Sequence, residues 1–231
     1  VSSSSSSVYA SAPSAEVEVL LGHVLSLLWN ASDDVFFADA TAWSRFTERL
    51  GQSDVVEALQ GVLACGAPLQ QQGAGAVLHN LACNRALHPI LLECRVLESV
   101  TSVAQRGGEG AICCMLAAAE FAGSEETGPA MAALVRCDVV ECLMRDLHLR
   151  ALLSVEKRDS QFVGTRKLLS ALECMASSDA HKASIAHAGA VDVLVRVING
   201  RHADDRGLAL AFCTLLHLSF EPTLGALHVC A

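Results

Sequence analysis

Two asparagines stand inside apolar runs where a polar amide is unexpected. Asn80 lies in GAVLHNLACN, residues 75–84, and Asn30 holds the same place in LWNAS, residues 28–32. Asparagine is a mediocre helix former because its amide competes for the backbone's own hydrogen bonds. An amide held on a helix therefore either caps backbone groups or uses its paired donor and acceptor to reach a partner.

The other polar residues do not form a catalytic pattern. Three carboxylate pairs fall where turns between helices are expected, and acidic residues there are typical of solvated helix caps: Asp33-Asp34, Glu125-Glu126 and Asp204-Asp205. The chain has no G-x-S-x-G, no P-loop and no glycine-rich dinucleotide loop. We therefore expect a protein that is not an enzyme and that uses no cofactor.

The ten cysteines nearly all lie within apolar runs, where free cysteine behaves as a small hydrophobe. This favours reduced thiols and a reducing, cytoplasmic compartment, with a cytoskeletal or ciliary association as an open alternative. There is no C-x-x-C pair, and His181 and His187 are not spaced to share one helical face. The sequence therefore predicts no metal site.

Bulk composition indicates packed helices. The 231 residues are 52% hydrophobic but only 4% aromatic, so Ala, Leu and Val must fill the interior. The net charge of −9, without a cluster of Lys or Arg, argues against nucleic acid as a partner. No uninterrupted apolar window is long enough to predict a membrane span. Residues 1–15 form a Ser-rich segment that we expect to be a flexible tail, and residues 16–231 are expected to form the folded domain.

The run around Asn80 is repeated along the chain. Similar elements are centred on residues 30, 80, 120, 174 and 217, with gaps of 50, 40, 54 and 43. A second column of helix starts falls between them, near Thr41, Cys94, Cys137 and Gly189. The predicted unit is a short helix, a second helix that opens at Gly or Cys, and a longer third helix that ends in the repeated element.

This unit resembles the armadillo repeat, whose length is about 42 residues. The segment DAHKASIAHAGAVDVLVRVIN, residues 179–199, carries the resemblance most closely. It implies a right-handed α-solenoid of about five three-helix repeats over residues 16–230. The longer gaps imply insertions near 52–61 and 151–161, placed in loops that either offer extra contacts or are simply tolerated.

In armadillo proteins that bind extended peptides, the third-helix asparagine hydrogen-bonds the peptide backbone from a concave groove. The resemblance therefore implies groove contacts at Asn30 and Asn80, whereas a structural role for both amides stays open. At the equivalent positions of the later repeats, the side chains lack an amide's paired donor and acceptor; these residues are Glu120, Cys174 and His217. The family's groove tryptophan is absent four residues before the asparagine, which argues against a receptor for nuclear-localisation signals. The candidate groove residues are Asn30, Asn80, Trp29, His79 and Glu120.

The leading hypothesis is a non-catalytic scaffold that binds a protein or peptide segment, possibly basic, through its concave face. The alternative is a structural subunit of a large cytoskeletal, ciliary or organellar complex that is held by its ends and insertions. A co-chaperone that clasps a chaperone's nucleotide-binding lobe is a third class, to which no residue points. In the second case we expect Phe212 and Leu216 to be partly uncovered, unless more chain or another subunit packs end to end on them.

Overall fold

The computed structural model describes residues 15–34, 37, 39–52, 54–107, 110–121, 144–145, 164–200 and 203–220. These residues form eleven α helices and one short 3₁₀ helix, Arg85–Leu87, and they contain no β strand. The expected all-α class is therefore confirmed. The helices are α1 Ala15–Ser32, α2 Ala40–Gly51, α3 Val55–Cys65, α4 Pro68–Ala82, α5 His88–Glu93, α6 Val96–Arg106, α7 Ala111–Glu120, α8 Thr165–Ala176, α9 Asp179–His187, α10 Ala190–Asn199 and α11 Asp205–Ser219.

Side-chain caps and glycine set several helix boundaries. The Asp39 carboxylate accepts a 2.9 Å hydrogen bond from the Thr41 N–H at the start of α2, and the Asp204 carboxylate accepts one of 2.8 Å from the Gly207 N–H in α11. Gly189 has a φ of 80°, in the left-handed region that glycine adopts at low cost. It separates α9 from α10, where the sequence pattern places a break.

Five helices pack on one another in chain order: α1 on α4, α4 on α7, α7 on α8, and α8 on α11. Small residues allow the closest of these approaches. A Cβ on Gly75 of α4 would lie 2.9 Å from the Cys114 Sγ of α7, so the two helices can meet there only because residue 75 has no side chain. We call α1, α4, α7, α8 and α11 the helix row.

The other helices cover the row and complete its core. Helix α3 packs on α4 and α6, and α6 packs on α7, while α9 and α10 both pack on α11. The buried apolar side chains form one cluster that extends from Leu25 in α1 to Leu218 in α11. Among the described residues, no helix is both long and apolar enough to cross a bilayer.

The five repeated positions lie at the ends of the row helices. Residues 30, 80, 120, 174 and 217 each fall within two residues of the C-terminus of α1, α4, α7, α8 or α11. Residues 55–61, within the first predicted insertion, are helical and belong to α3. The second predicted insertion, the predicted tail up to residue 14 and the helix start near Cys137 lie outside the described residues. The solenoid arrangement itself stays a prediction.

Candidate functional site

Asn80 lies in the last turn of α4, and its amide is held by the protein itself. The side chain is 3% exposed. Its Nδ2 donates hydrogen bonds of 3.0 Å to the Trp29 carbonyl oxygen and 3.0 Å to the Ser32 Oγ, both at the end of α1. Its Oδ1 accepts a 3.1 Å hydrogen bond from the Lys167 Nζ of α8. The paired donor and acceptor thus join three helices of the row.

Lys167 extends this network to the turn after α1. Its ammonium group also donates a 2.7 Å hydrogen bond to the Asp33 carboxylate. The Lys167 side chain is 18% exposed and that of Asp33 is 14% exposed. Asp33 is therefore an ion-pair partner within the fold and differs from the solvated cap that its place in a turn predicts. Ion pairs of this kind lose little strength to salt because solvent reaches them poorly.

More exposed ion pairs surround this one. Asp34 lies 2.6 Å from the Arg206 guanidinium of α11 and 3.5 Å from that of Arg166 in α8. Arg166 also lies 3.6 Å from the Asp204 carboxylate. These ion pairs of Asp33 and Asp34 link the turn after α1 to the starts of α8 and α11. Glu125-Glu126, the third carboxylate pair, lies outside the described residues.

A second polar cluster lies beside Asn80, where α4, α7 and α8 meet. The His79 Nε2 is 3.7 Å from the Glu120 Oε1 and 3.6 Å from the Cys83 Sγ. The same Glu120 oxygen accepts a 3.3 Å hydrogen bond from the Ser170 hydroxyl, and the Oε2 of that carboxylate accepts one of 3.3 Å from the Cys174 thiol. Both His79 and Glu120 are buried.

Burial alone would raise the pKa of the Glu120 carboxyl. A hydrogen bond and the nearby charge of His79 outweigh that effect, with further hydrogen bonds from Cys174 and Ser170, so the pKa of the Glu120 carboxyl lies below its usual range. The carboxylate is therefore ionised inside the protein at neutral pH. Burial raises the pKa of the Cys83 thiol, with the Glu120 charge acting in the same direction. Burial likewise raises the pKa of Cys113 in α7 to about 12.

The other candidate positions have separate environments. Asn30 is exposed and Trp29 is half-buried against the core. Cys174 is buried, and the His217 Nε2 lies 3.3 Å from the Glu173 carboxylate. The structure thus brings Trp29 to Asn80 and His79 to Glu120 in two adjacent networks, and Asn30 belongs to neither of them. Whether any of these residues contacts a partner stays a prediction.

A cleft opens between the two networks. Residues of α1, α2, α4, α8 and α11 line it, among them Trp43, His79, Asn80 and Lys167, together with Cys83 directly after α4. Its cavity volume of about 70 Å³ is room for a few water molecules or one small ion. An extended peptide needs far more space than this cleft offers.

Sequence reasoning missed Lys167, Cys83 and Ser170. Cys83 had a local signal, because it follows His79 by four residues, the spacing that brings side chains together on one helical face. No local signal exists for Lys167, whose partner Asp33 is 134 residues away along the chain. Comparisons with protein-family models, curated proteins and solved structures find no match to this chain.

Proposed function

We propose that the protein is a non-catalytic building block of armadillo-like helices that joins helical partner proteins through apolar faces on α1 and α11. One observation carries the proposal: the two outer helices of the row each expose an apolar stripe. The side chains concerned are between 42% and 70% exposed, and they are Leu20, Val24 and Leu27 of α1, Phe212 and Leu216 of α11, and Phe220 directly after α11. Stripes of this kind typically mark interaction sites.

The spacing of the stripes fits a helix as the occupant. Leu20, Val24 and Leu27 repeat at i, i+4 and i+7, which is the pattern of one helical face. Within the helix row, neighbouring helices already pack side by side through their apolar faces. The two stripes offer the same kind of apolar face to a further helix. The exposed Glu16 and Glu18 flank the α1 stripe, so a partner helix with basic residues beside its apolar face is complementary.

Binding of a partner segment in the concave groove is the second candidate, favoured by the exposed Asn30 at the end of α1. This candidate is weaker at Asn80, since a peptide would have to replace three hydrogen bonds that the amide already makes. The predicted membership of a cytoskeletal, ciliary or organellar complex goes with the first candidate function, binding through the apolar stripes. No described residue supports that membership.

The two candidates are separated by photo-crosslinking from defined positions. A photoreactive amino acid is placed in the full chain at Leu20, Leu216 or Asn30, with exposed Glu57 on α3 as the control position. The variants are expressed in the native cells, irradiated, and the crosslinked partner peptides are sequenced. We expect adducts from Leu20 and Leu216 to amphipathic helical segments, and none of these from Glu57.

The identified partner is then purified and titrated against Leu216→Glu, with Ala58→Glu on α3 as the matched control for added charge. Losing one buried leucine costs about 1.5–3 kcal/mol, so we expect at least tenfold weaker binding for Leu216→Glu alone. Adducts confined to Asn30 would establish the groove candidate instead. Equal affinity of both glutamate variants would refute binding through α11.

A further inference from the structure

Three metal-binding groups converge at the end of α4. The His79 Nε2, the Cys83 Sγ and a Glu120 carboxylate oxygen all lie within 4.8 Å of one another. Two of the separations are 3.6 Å, between sulfur and imidazole nitrogen, and 3.7 Å, between that nitrogen and the carboxylate. Imidazole, thiolate and carboxylate are the three donor types that bind zinc in proteins.

These separations are close to the geometry of a tetrahedral ion. At tetrahedral angles, zinc places a nitrogen and a sulfur ligand about 3.5–3.6 Å apart and a nitrogen and an oxygen ligand about 3.3–3.5 Å apart. The 3.6 Å separation between the His79 nitrogen and the Cys83 sulfur matches this geometry, and the 3.7 Å separation between that nitrogen and the Glu120 oxygen is slightly longer. Small movements of the Cys83 and Glu120 side chains are enough to complete the arrangement, since both groups turn about single bonds.

Packed helices support the three donors. His79 lies in the last turn of α4, Cys83 follows four residues later as the first residue after that helix, and Glu120 ends α7, which packs closely on α4 at Gly75. Ser170 and Cys174 donate to the Glu120 carboxylate, in the way that outer-shell partners orient a metal ligand. His79 and Glu120 therefore lie on helices and Cys83 lies directly at a helix end, which favours a well-defined site.

The surroundings also favour a cation. Glu120 is only 7% exposed, and buried carboxylates are paired with a positive group or coordinate a metal. His79 and Cys83 line the cleft described above, so an ion has a path from solvent and a fourth coordination position open to water.

We propose that His79, Cys83 and Glu120 bind a zinc ion that links α4 to α7, with the fourth coordination position facing the cleft. The ion displaces the thiol proton of Cys83 and the proton on the His79 Nε2, which both pass to solvent, and it is held by imidazole nitrogen, thiolate sulfur and carboxylate oxygen. This site is separate from the apolar stripes and does not depend on the proposed function.

The test uses Co²⁺ as a spectroscopic probe on the full chain after removal of metal with a chelator. We expect binding of about one Co²⁺ per chain, with absorption in the near-ultraviolet from a cobalt–thiolate bond and loss of that absorption when Zn²⁺ is added. Zn²⁺ alone is expected to raise the melting temperature by several degrees.

Cys83→Ala and Glu120→Gln are the test variants, and Cys213→Ala on exposed α11 is the matched cysteine control. The far-UV circular dichroism of each variant is compared with that of the metal-free wild type, so that folding and metal binding are measured separately. We expect the thiolate band to vanish in Cys83→Ala and to persist in Cys213→Ala, and the affinity to fall at least tenfold in Glu120→Gln. A folded wild-type chain that binds no Co²⁺ at micromolar concentration would overturn the proposal, and so would an equal thiolate band in both cysteine variants.

Discussion

Replacing Asn80 with alanine tests whether its amide is a structural link between helices. The change removes hydrogen bonds to the Trp29 carbonyl, the Ser32 hydroxyl and the Lys167 ammonium group. A buried neutral hydrogen bond contributes about 1 kcal/mol net, and one to a charged group about 1.5–3 kcal/mol. We therefore expect the free energy of unfolding to fall by roughly 3.5–5 kcal/mol, which corresponds to a decrease in melting temperature of about 10–15 °C for a chain of this size.

The measurement is urea denaturation followed by far-UV circular dichroism, with thermal melting as a second readout. Asn30→Ala is the matched control, since Asn30 is exposed and surface substitutions usually change stability by less than about 0.5 kcal/mol. Asn80→Asp keeps the side-chain volume but loses both Nδ2 donors, so it should also be destabilising and thereby exclude a simple cavity effect. If Asn80→Ala unfolds within about 0.5 kcal/mol of Asn30→Ala, the amide does not hold these helices together.

Three further predictions follow from burial and close packing. Lys167→Met should destabilise the fold by about 2–3 kcal/mol in urea denaturation, whereas Arg206→Met, at a guanidinium 68% exposed, should cost less than about 1 kcal/mol and nothing at high salt. Burial lowers the pKa of His181 below 6.5, and neither ring nitrogen has a hydrogen-bond partner among the described residues. Below pH 6.5 the unfolded chain thus binds a proton at His181 more readily than the folded chain does. The free energy of unfolding should therefore be highest above pH 6.5 and should fall as the pH is lowered from 6.5 through the lower pKa of the folded state. In urea denaturation at a series of pH values, His181→Leu should make this pH dependence weaker. Gly75→Ala should lower stability by about 1–3 kcal/mol because its Cβ would meet Cys114, whereas Gly22→Ala, with open space around it in α1, should raise stability by about 0.5–1 kcal/mol in the same assay.

Helix ends were predictable from the sequence because their causes are local. The apolar spacing, the break at Gly189 and the recurrence of one element at residues 30, 80, 120, 174 and 217 all depend on neighbouring residues. For a structural subunit whose fifth repeat has no packing partner, partly uncovered Phe212 and Leu216 were expected, and both side chains on α11 are more than half exposed.

The two polar networks were not predictable because they depend on how helices are rotated and offset against one another. Glu120 meets His79 only because α7 packs closely on α4 at Gly75. Sequence spacing does not fix that offset, and a shift of one turn would move a side chain by about 5.4 Å. The same holds for Lys167 and Asp33, which belong to helices far apart in the chain.

The position of Lys167 bears on the choice between the two proposed binding surfaces. A peptide that used the Asn80 amide would have to displace the Lys167 ammonium group and the contacts at the end of α1 before gaining its own hydrogen bonds. If those contacts contribute about 3.5 kcal/mol, binding there is weakened by roughly 300-fold relative to a free amide. A helix that packs on Leu216 and Phe220 displaces no hydrogen bond of either side chain, since both are apolar and exposed. The energetics therefore favour recognition at the outer helices over recognition at Asn80.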